Sequence, residues 1–209
     1  MKTIKLIIIL NFLIAIILCG QNCPYLMINE TIPNDTPIIY GQAVISKDSI
    51  SVNSISFSPD GSELIYSVQT DGIYYMEKIN DNWTTPKLLE ISYNSLTHIM
   101  YPKFSPDGDF ISYVDGNSKD YGFGDIYLIK RLDNNKWSEK IKLPEPINSG
   151  YRDAGHCFAQ NGNLYFTSSR VNKKGTNDIF LASPQKNGQY KVNVLSKLSI
   201  FSIITDEEC

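Results

Sequence analysis

A five-residue segment recurs along the chain at a spacing typical of repeat proteins. Phe57–Gly61 has the sequence Phe-Ser-Pro-Asp-Gly, and Phe104–Gly108 has the same five residues. Phe158–Gly162 is a weaker copy, Phe-Ala-Gln-Asn-Gly. The copies begin 47 and then 54 residues apart, a period found in solenoids and propellers. The recurrence therefore predicts a chain built from repeated structural units.

Each copy is expected to form a turn between two strands. In Ser-Pro-Asp-Gly the proline holds φ at about −65° and the glycine accepts a positive φ. A type I turn that ends in a left-handed residue is a common hairpin connection. The carboxylates of Asp60 and Asp107 are predicted to bond nearby backbone amides in these turns. We expect this structural role rather than a catalytic or metal-binding one.

Four short strands are predicted in each unit, and the fourth strands open at Trp83, Trp137 and Tyr190. Four strands joined by turns are typical of one propeller blade. No part of the mature chain has convincing helical periodicity. The predicted fold is all-β, with about three four-stranded antiparallel blades of an incomplete or truncated β-propeller. The predicted propeller domain covers residues 36–209, with blades at about 51–91, 98–144 and 152–196 and the start of a further blade at 203–209.

These repeats resemble the WD-like, TolB-type β-propeller repeats of exported bacterial proteins. The Phe-Ser-Pro-Asp-Gly turns carry the resemblance, together with the stretch from Asp125 to Arg170. The resemblance covers roughly residues 38–209 and implies a propeller fold. It implies little about activity, because fold alone does not determine function.

The amino terminus is predicted to direct export. Lysines precede an apolar run from Leu6 to Leu18, which is short for a membrane span and typical of a secretory signal. We expect a signal peptide at 1–20 and an N-terminal tether at 21–35. The mature protein would then lie in the periplasm, or at the outer membrane or cell surface. In one alternative Cys19 carries a lipid anchor, and in another the apolar helix is retained.

Charge and cysteine content exclude some classes of partner and site. The formal net charge is −3 and 20% of residues are charged. The sequence has no basic cluster of the kind that binds nucleic acid, so a nucleic-acid partner is not predicted. Outside the leader the cysteines are Cys23, Cys157 and Cys209, and their spacing does not suit a metal site. Two of them could form a disulfide in an oxidising compartment, without an assignable pairing. Cys157 is expected to be a buried, inert thiol.

No catalytic, cofactor-binding or metal-binding residue is predicted. The chain lacks a nucleophile elbow, a phosphate loop, a zinc-protease motif and an EF-hand ligand series. Neighbouring residues on a strand point to opposite faces, so His156 is not expected to pair with Cys157. We expect His156 to link blades or to face the channel. Asp120, Tyr121 and Arg170 lie in or beside predicted loops and are the candidates for ligand contact.

Two classes of function remain open. The first is an exported, non-enzymatic binding or scaffold protein that holds a protein, peptide or glycan at the cell envelope without a cofactor. The second is the propeller portion of a prolyl-oligopeptidase-like hydrolase, or of a carbohydrate-active lyase, whose catalytic part is absent from this chain. The next repeat turn would begin at about residue 210, so open blade edges are expected, and these favour self-association.

Overall fold

The computed structural model describes residues 41, 44–45, 51–68, 71–91, 97–117, 124–133, 136–171 and 177–195. The described strands form three antiparallel sheets that succeed one another along the chain. Blade 1 contains β1 (Val52–Phe57), β2 (Glu63–Val68), β3 (Gly72–Ile79), β4 (Asn82–Trp83) and β5 (Lys87–Leu88). Blade 2 contains β6 (Thr97–Phe104), β7 (Phe110–Asn117), β8 (Gly124–Leu132), β9 (Lys136–Trp137) and β10 (Ile141–Lys142). Blade 3 contains β11 (Asp153–Phe158), β12 (Leu164–Ser168), β13 (Asp178–Pro184) and β14 (Tyr190–Val194).

Within each sheet the strands are paired in chain order. Blade 3 has the order β11-β12-β13-β14, and blades 1 and 2 repeat it with an outer strand that is divided into two pieces. Four-stranded antiparallel meanders of this kind, repeated along a chain and packed against one another, are propeller blades. The predicted all-β blade architecture is therefore confirmed.

The divided outer strands differ from the single fourth strands predicted for blades 1 and 2. Thr84 lies directly after β4, and its hydroxyl accepts a hydrogen bond from the N–H of Glu77 at 3.1 Å. Ser138 lies directly after β9, and its hydroxyl accepts the N–H of Lys130 at 3.0 Å. Because a side-chain oxygen takes the place of a backbone carbonyl, the chain leaves the ladder there and returns at β5 or β10. Blade 3 keeps its ladder unbroken through Tyr190–Val194.

The repeated turns have the predicted backbone geometry. Gly61, Gly108 and Gly162 have φ values of 71°, 78° and 80°, in the region that favours glycine. In each copy the glycine N–H donates to the carbonyl of the residue three positions earlier, at 2.9 to 3.0 Å. The third turn closes one residue earlier than the other two, since the N–H of Ala159 donates to the carbonyl of Asn163.

The aspartates in these turns have the predicted structural role. Oδ1 of Asp60 accepts hydrogen bonds from the hydroxyl of Ser58 at 2.6 Å and from the N–H of Ser62 at 3.0 Å. These bonds hold the pKa of Asp60 below its usual value, and the corresponding bonds lower the pKa of Asp107. The third copy has Asn161, whose Oδ1 accepts the N–H two residues later at 2.9 Å. An amide oxygen thus replaces the carboxylate without loss of the backbone bond.

The core lies between the blades. Side chains on the face of blade 1 that points toward blade 2, among them Ile65 and Ile73, pack with Ile111 and Tyr113 of blade 2. A second cluster joins blades 2 and 3 in the same way and includes Val114, Ile126, Leu164, Phe166 and Phe180. Each such side chain contributes about 1.5 to 3 kcal/mol when it is fully buried. Packing between repeats therefore stabilises the fold.

Several predictions concern parts of the chain outside the described residues. These are the signal peptide at 1–20, the tether at 21–35, the start of a further blade at 203–209, the ligand candidates Asp120 and Tyr121, and the cysteines Cys19, Cys23 and Cys209. Among the described residues there is no helix long and apolar enough to cross a membrane.

Candidate functional site

Arg170, a predicted ligand contact, is held by interactions within the chain. Its guanidinium donates to Oδ1 of Asp153 at 2.7 Å, and the Asp153 side chain is fully buried. It also donates to the carbonyls of Pro146 at 2.6 Å and of Ile147. The aromatic ring of Phe180 lies 4.9 Å away. Arg170 therefore fastens the chain between blades 2 and 3, and its contact with a ligand stays a prediction.

His156 links two blades, as one of the alternatives for this residue predicted. Its Nε2 lies 2.9 Å from the hydroxyl of Ser112 on β7, and both side chains are buried. Burial, with a smaller effect from the charge of Lys103, lowers the pKa of His156 to about 4. The ring is therefore neutral at pH 7. Among the residues that the structure describes, its Nδ1 has no hydrogen-bond partner.

Cys157 lies outside the core, although a buried thiol was predicted. The register of β11 against β12 shifts between Ala154 and Cys157, and Gly155 within this bulge has a φ of 52°. After the bulge His156 points toward blade 2, and Cys157 lies beside Tyr165 on the opposite face, where it is half-buried. The bulge decides which of two neighbouring residues enters the core.

The groove between blades 1 and 2, at the end where the repeated turns lie, is closed by an ion pair. Arg131 of blade 2 forms two hydrogen bonds with the carboxylate of Glu63 in blade 1, at 3.0 and 2.6 Å. Its Nε donates to the carbonyl of Gly108 at 3.1 Å, and its guanidinium lies 4.6 Å from the Trp137 ring. The phenol of Tyr75 donates to the same carboxylate. A space of about 270 Å³ is left.

Both ionisable partners of Glu63 have raised pKa values. Burial and the hydrogen bond to Glu63 raise the pKa of Tyr75 above its usual range. Burial lowers the pKa of Arg131, but the hydrogen bonds with Glu63 outweigh it and the net shift is upward. The Arg131 guanidinium therefore stays charged throughout the physiological range, and we define these residues as the plug of the first groove.

The equivalent groove between blades 2 and 3 has no such plug. The pairing of β7 with β8 and of β12 with β13 places Phe110 at the position of Glu63, and Pro184 at that of Arg131. Neither side chain is charged, so the ion pair cannot form. Phe110 instead meets the ring of Phe158 edge to face, at 4.9 Å between centroids. The groove has a volume of about 850 Å³, and we call it the open groove.

The open groove combines an apolar floor with charged groups. Its floor contains half-buried apolar and aromatic side chains, namely Phe110, Leu128, Phe158 and Tyr190. Asp107, Asp109 and Lys130 contribute exposed charges of both signs, and Gln160 adds an exposed amide. Clefts that bind ligands have this composition: apolar walls give affinity, and a few polar groups fix orientation.

Chemically, the open groove is suited to binding. Its ionisable side chains are two aspartates, a lysine, a tyrosine and the paired Arg131. The histidine nearest in chain order, His156, is buried against Ser112. The described parts of the chain contain no group of three histidine, cysteine or acidic side chains that could hold a metal ion.

Sequence reasoning missed the open groove, although a signal for it was present. Trp83, Trp137 and Tyr190 were matched between repeats, and each pairs with its third strand at one equivalent position, opposite Lys78, Arg131 and Pro184. The tilted contacts of Phe57 with Trp83 and of Phe104 with Trp137, at 6.2 and 6.4 Å, confirm that the tryptophans are architectural. A comparison of these repeat positions shows that blade 3 has a proline where blade 2 has Arg131.

Comparison with known proteins adds resemblance at the level of fold. No protein-family model matches the chain, and no curated protein sequence does. Among solved structures, U3-55K is 12% identical over 74% of this chain (TM-score 0.47), and a candidate TolB from Agrobacterium tumefaciens is 15% identical over 73% (0.38). A structure from a study of two prolyl endopeptidases is 12% identical over 78% (0.41). The chain spans 42%, 64% and 31% of these proteins in turn. At such TM-scores the fold assignment rests on strand pairing, and the specific repeat family stays a prediction.

Proposed function

We propose that this protein is an exported, non-enzymatic β-propeller that binds a partner at the cell envelope through the open groove. The observation that carries the proposal is the difference between two equivalent grooves of one chain. The first is closed by the pair of Arg131 with Glu63. The second is about 850 Å³ in volume and exposes aromatic side chains.

The composition of the open groove favours a peptide segment of a protein as the ligand. Phe158 and Tyr190 can pack against an apolar or aromatic side chain, and such contacts dominate binding energy in protein interfaces. Asp109 and Lys130 are exposed in the groove and can pair with charges on either side of that anchor. Charged groups at the rim of an interface contribute orientation and association rate more than affinity.

A binding role without catalysis is supported by the placement of the ionisable groups. Ser112 and His156 form a close pair of a hydroxyl with an imidazole, and both are buried where a substrate could not reach them. Asp60 and Asp107, which recur in the repeats, bond their own turns. Export is supported by the apolar run from Leu6 to Leu18 and the lysines before it.

The proposal is tested by selecting a ligand and then changing the groove. Random peptides displayed on phage are selected against the immobilised protein, and a glycan array is probed in parallel. The affinity of a selected peptide is then measured by calorimetry for Tyr190→Ala and Lys130→Glu. The matched control is Lys87→Glu, because Lys87 is an exposed lysine on β5, away from the groove.

We expect the two groove variants to bind the peptide about tenfold more weakly or worse, which is about 1.4 kcal/mol. Lys87→Glu should bind like the natural chain. If no peptide is recovered but a glycan binds, the class of partner proposed here is wrong. Equal affinity in all variants would mean that the open groove is not the binding site.

A further inference from the structure

The outer strand of blade 3 differs from the outer strands of the other two blades. β14 runs for five residues and pairs with β13 without interruption. In blades 1 and 2 the outer strand is divided into two pieces of two residues each, at Thr84 and at Ser138. Very short edge strands offer few aligned backbone groups, which is one way in which proteins prevent further strand pairing. The undivided β14 can instead act as a template for another strand.

The hydrogen bonds on either side of β14 show which of its backbone groups point outward. The N–H of Leu195 donates to the carbonyl of Ile179, and the N–H of Gln185 donates to the carbonyl of Gln189, both at 2.8 Å. In an antiparallel ladder the bonded residues alternate along each strand. The odd-numbered residues of β14 therefore bond to β13, and the even-numbered ones direct their N–H and C=O groups away from it. The outward residues are Tyr190, Val192 and Val194.

Two further observations agree with this assignment. Pro184 is the register partner of Tyr190, and a proline, which has no N–H, suits a pair that is not hydrogen-bonded. Within the part of the chain that the structure describes, β14 is the last strand of its sheet and pairs with β13 alone. The edge therefore presents donors and acceptors at alternate residues, as an extended peptide segment requires.

This edge is continuous with the open groove. Tyr190 is the first residue of β14 and also lines the open groove. The side chains of Tyr190 and Val192 pack on the cluster between blades 2 and 3, so they lie on the face toward blade 2. Residues directly opposite each other on paired strands place their side chains on the same face. A residue paired with Tyr190 would therefore direct its side chain into the open groove.

The charge near the edge favours an acidic segment. Lys191 is exposed and, as the neighbour of Tyr190 on the strand, lies on the other face of blade 3. Residues 183–195 contain Lys186 and Lys191 but no acidic residue. Neither lysine forms an ion pair with a residue that the structure describes. Opposite charges on neighbouring strands stabilise their pairing, so an acidic residue opposite Lys191 would be favoured.

We propose that the segment bound at the open groove is an extended, acidic segment of a partner protein that adds to β14 as a fifth strand of blade 3. This inference rests on the proposed function, since it states how the ligand of the open groove is held. Bonds to the outward backbone groups of β14 supply affinity that depends little on sequence. Selectivity comes from an apolar side chain beside Tyr190 and from an acidic neighbour that faces Lys191.

Hydrogen exchange measured by NMR tests this mode of binding in the full chain. The probe is the peptide selected by phage display against the natural protein. In the free chain the outward amides of Tyr190, Val192 and Val194 should exchange faster than the amides of Lys191 and Asn193. The peptide should slow exchange of the three outward amides by about tenfold or more and leave the other two nearly unchanged.

A set of modified peptides tests the same contact from the side of the ligand. The selected peptide is N-methylated at one position at a time, which removes one backbone donor in each case. Since alternate residues of a strand face its partner, affinity should fall by about tenfold at every second position and change little at the positions between.

Variants of β14 provide a third measurement. Val192→Pro removes an outward N–H but no bond to β13, a position at which an edge strand accepts proline. The matched control is Val192→Ala, which shortens the side chain and keeps the N–H. We expect peptide binding to weaken by about tenfold in Val192→Pro and by less than about threefold in Val192→Ala. Lys191→Glu should weaken it by about threefold and Lys87→Glu should not, with circular dichroism confirming that each variant is folded.

The outcomes separate this inference from the proposed function. Outward amides that stay unprotected in the peptide complex, or equal losses at all N-methylated positions, would overturn the inference. If Tyr190→Ala and Lys130→Glu still weaken binding in that case, the proposed function stands without it. Protected amides with normal binding by both groove variants would contradict the proposed function and support strand addition. A mass of two chains by light scattering that Val192→Pro reduces to one would assign the edge to a second copy and overturn the inference. Selection that yields no peptide would contradict both.

Discussion

Protonation of His156 should weaken the junction between blades 2 and 3 as the pH falls. The ring is buried, contacts Ser112 at 2.9 Å and has its pKa lowered to about 4 by burial and by the charge of Lys103. In the unfolded chain the imidazole titrates at about 6.5. Between these two pKa values the unfolded state binds a proton that the folded state does not. Stability is therefore complete above about pH 6.5 and is lost as the pH falls toward 4.

The size of this loss is set by the two pKa values. With 6.5 in the unfolded chain and about 4 in the fold, lowering the pH from 7 to 5 costs about 2 kcal/mol. The aspartates with lowered pKa values, Asp60 and Asp107, affect stability only as the pH approaches about 4 and below. A comparison at pH 7 and pH 5 therefore isolates the histidine from these carboxylates.

The assay is urea unfolding of the natural chain and of His156→Gln at both pH values. Glutamine keeps an N–H donor for Ser112 but does not titrate. We expect the natural chain to lose about 2 kcal/mol more than His156→Gln between pH 7 and pH 5. Any packing defect of the variant cancels, because each chain is compared with itself. If both chains lose the same amount, His156 is not the buried neutral group described here.

Three further changes test other parts of the fold. Gly108→Val places a β-branched residue at a φ of 78° and should lower the stability measured by thermal unfolding by about 1 to 2 kcal/mol; an unchanged melting temperature would refute the turn assignment. Glu63→Gln removes the charge that pairs with Arg131 across blades 1 and 2. Urea unfolding should show that the free energy of unfolding falls by about 1 to 3 kcal/mol. The control Glu90→Gln, at an exposed glutamate, should have no effect. Arg170→Met leaves the carboxylate of Asp153 buried without its cation. In the same assay the free energy of unfolding of this variant should fall by about 3 to 5 kcal/mol. A fall smaller than that of Glu63→Gln would contradict the role given to Arg170.

The elements that could be predicted from the sequence are those whose causes are local. The turn at Phe104–Gly108 depends on a proline, a carboxylate and a glycine within a few residues, and the carboxylate and the glycine behave as predicted. The equivalence of Trp83 and Trp137 is explained by their place after the third strand in each repeat. The divided outer strand was missed, because the competing acceptor is a single hydroxyl, as at Thr84, that looks ordinary in sequence.

The open groove and the role of Arg170 could not be read in this way, since both depend on contacts between distant residues. Arg131 and Glu63 are 68 residues apart in the chain, and their pairing is determined only by how two blades pack. Arg170 gathers partners from the segment before β11 and from Asp153, which no local pattern indicates. The third turn, at Ala159–Asn163, is one residue shorter than the other two. This difference shifts the alignment of the third repeat with the first two, which makes the absence of the plug harder to find from sequence.

The most direct test of the account transfers the plug of the first groove to the open groove. Phe110→Glu with Pro184→Arg places the charged pair at the equivalent positions of blades 2 and 3, while Lys78→Arg at the matching position of blade 1 is the control. The quantity measured is the affinity of a peptide selected against the natural chain, with circular dichroism confirming that each variant is folded. We predict that the double variant loses about tenfold or more in affinity and that Lys78→Arg loses none. A folded double variant that binds the peptide as tightly as the natural chain would contradict the claim that the open groove is the binding site.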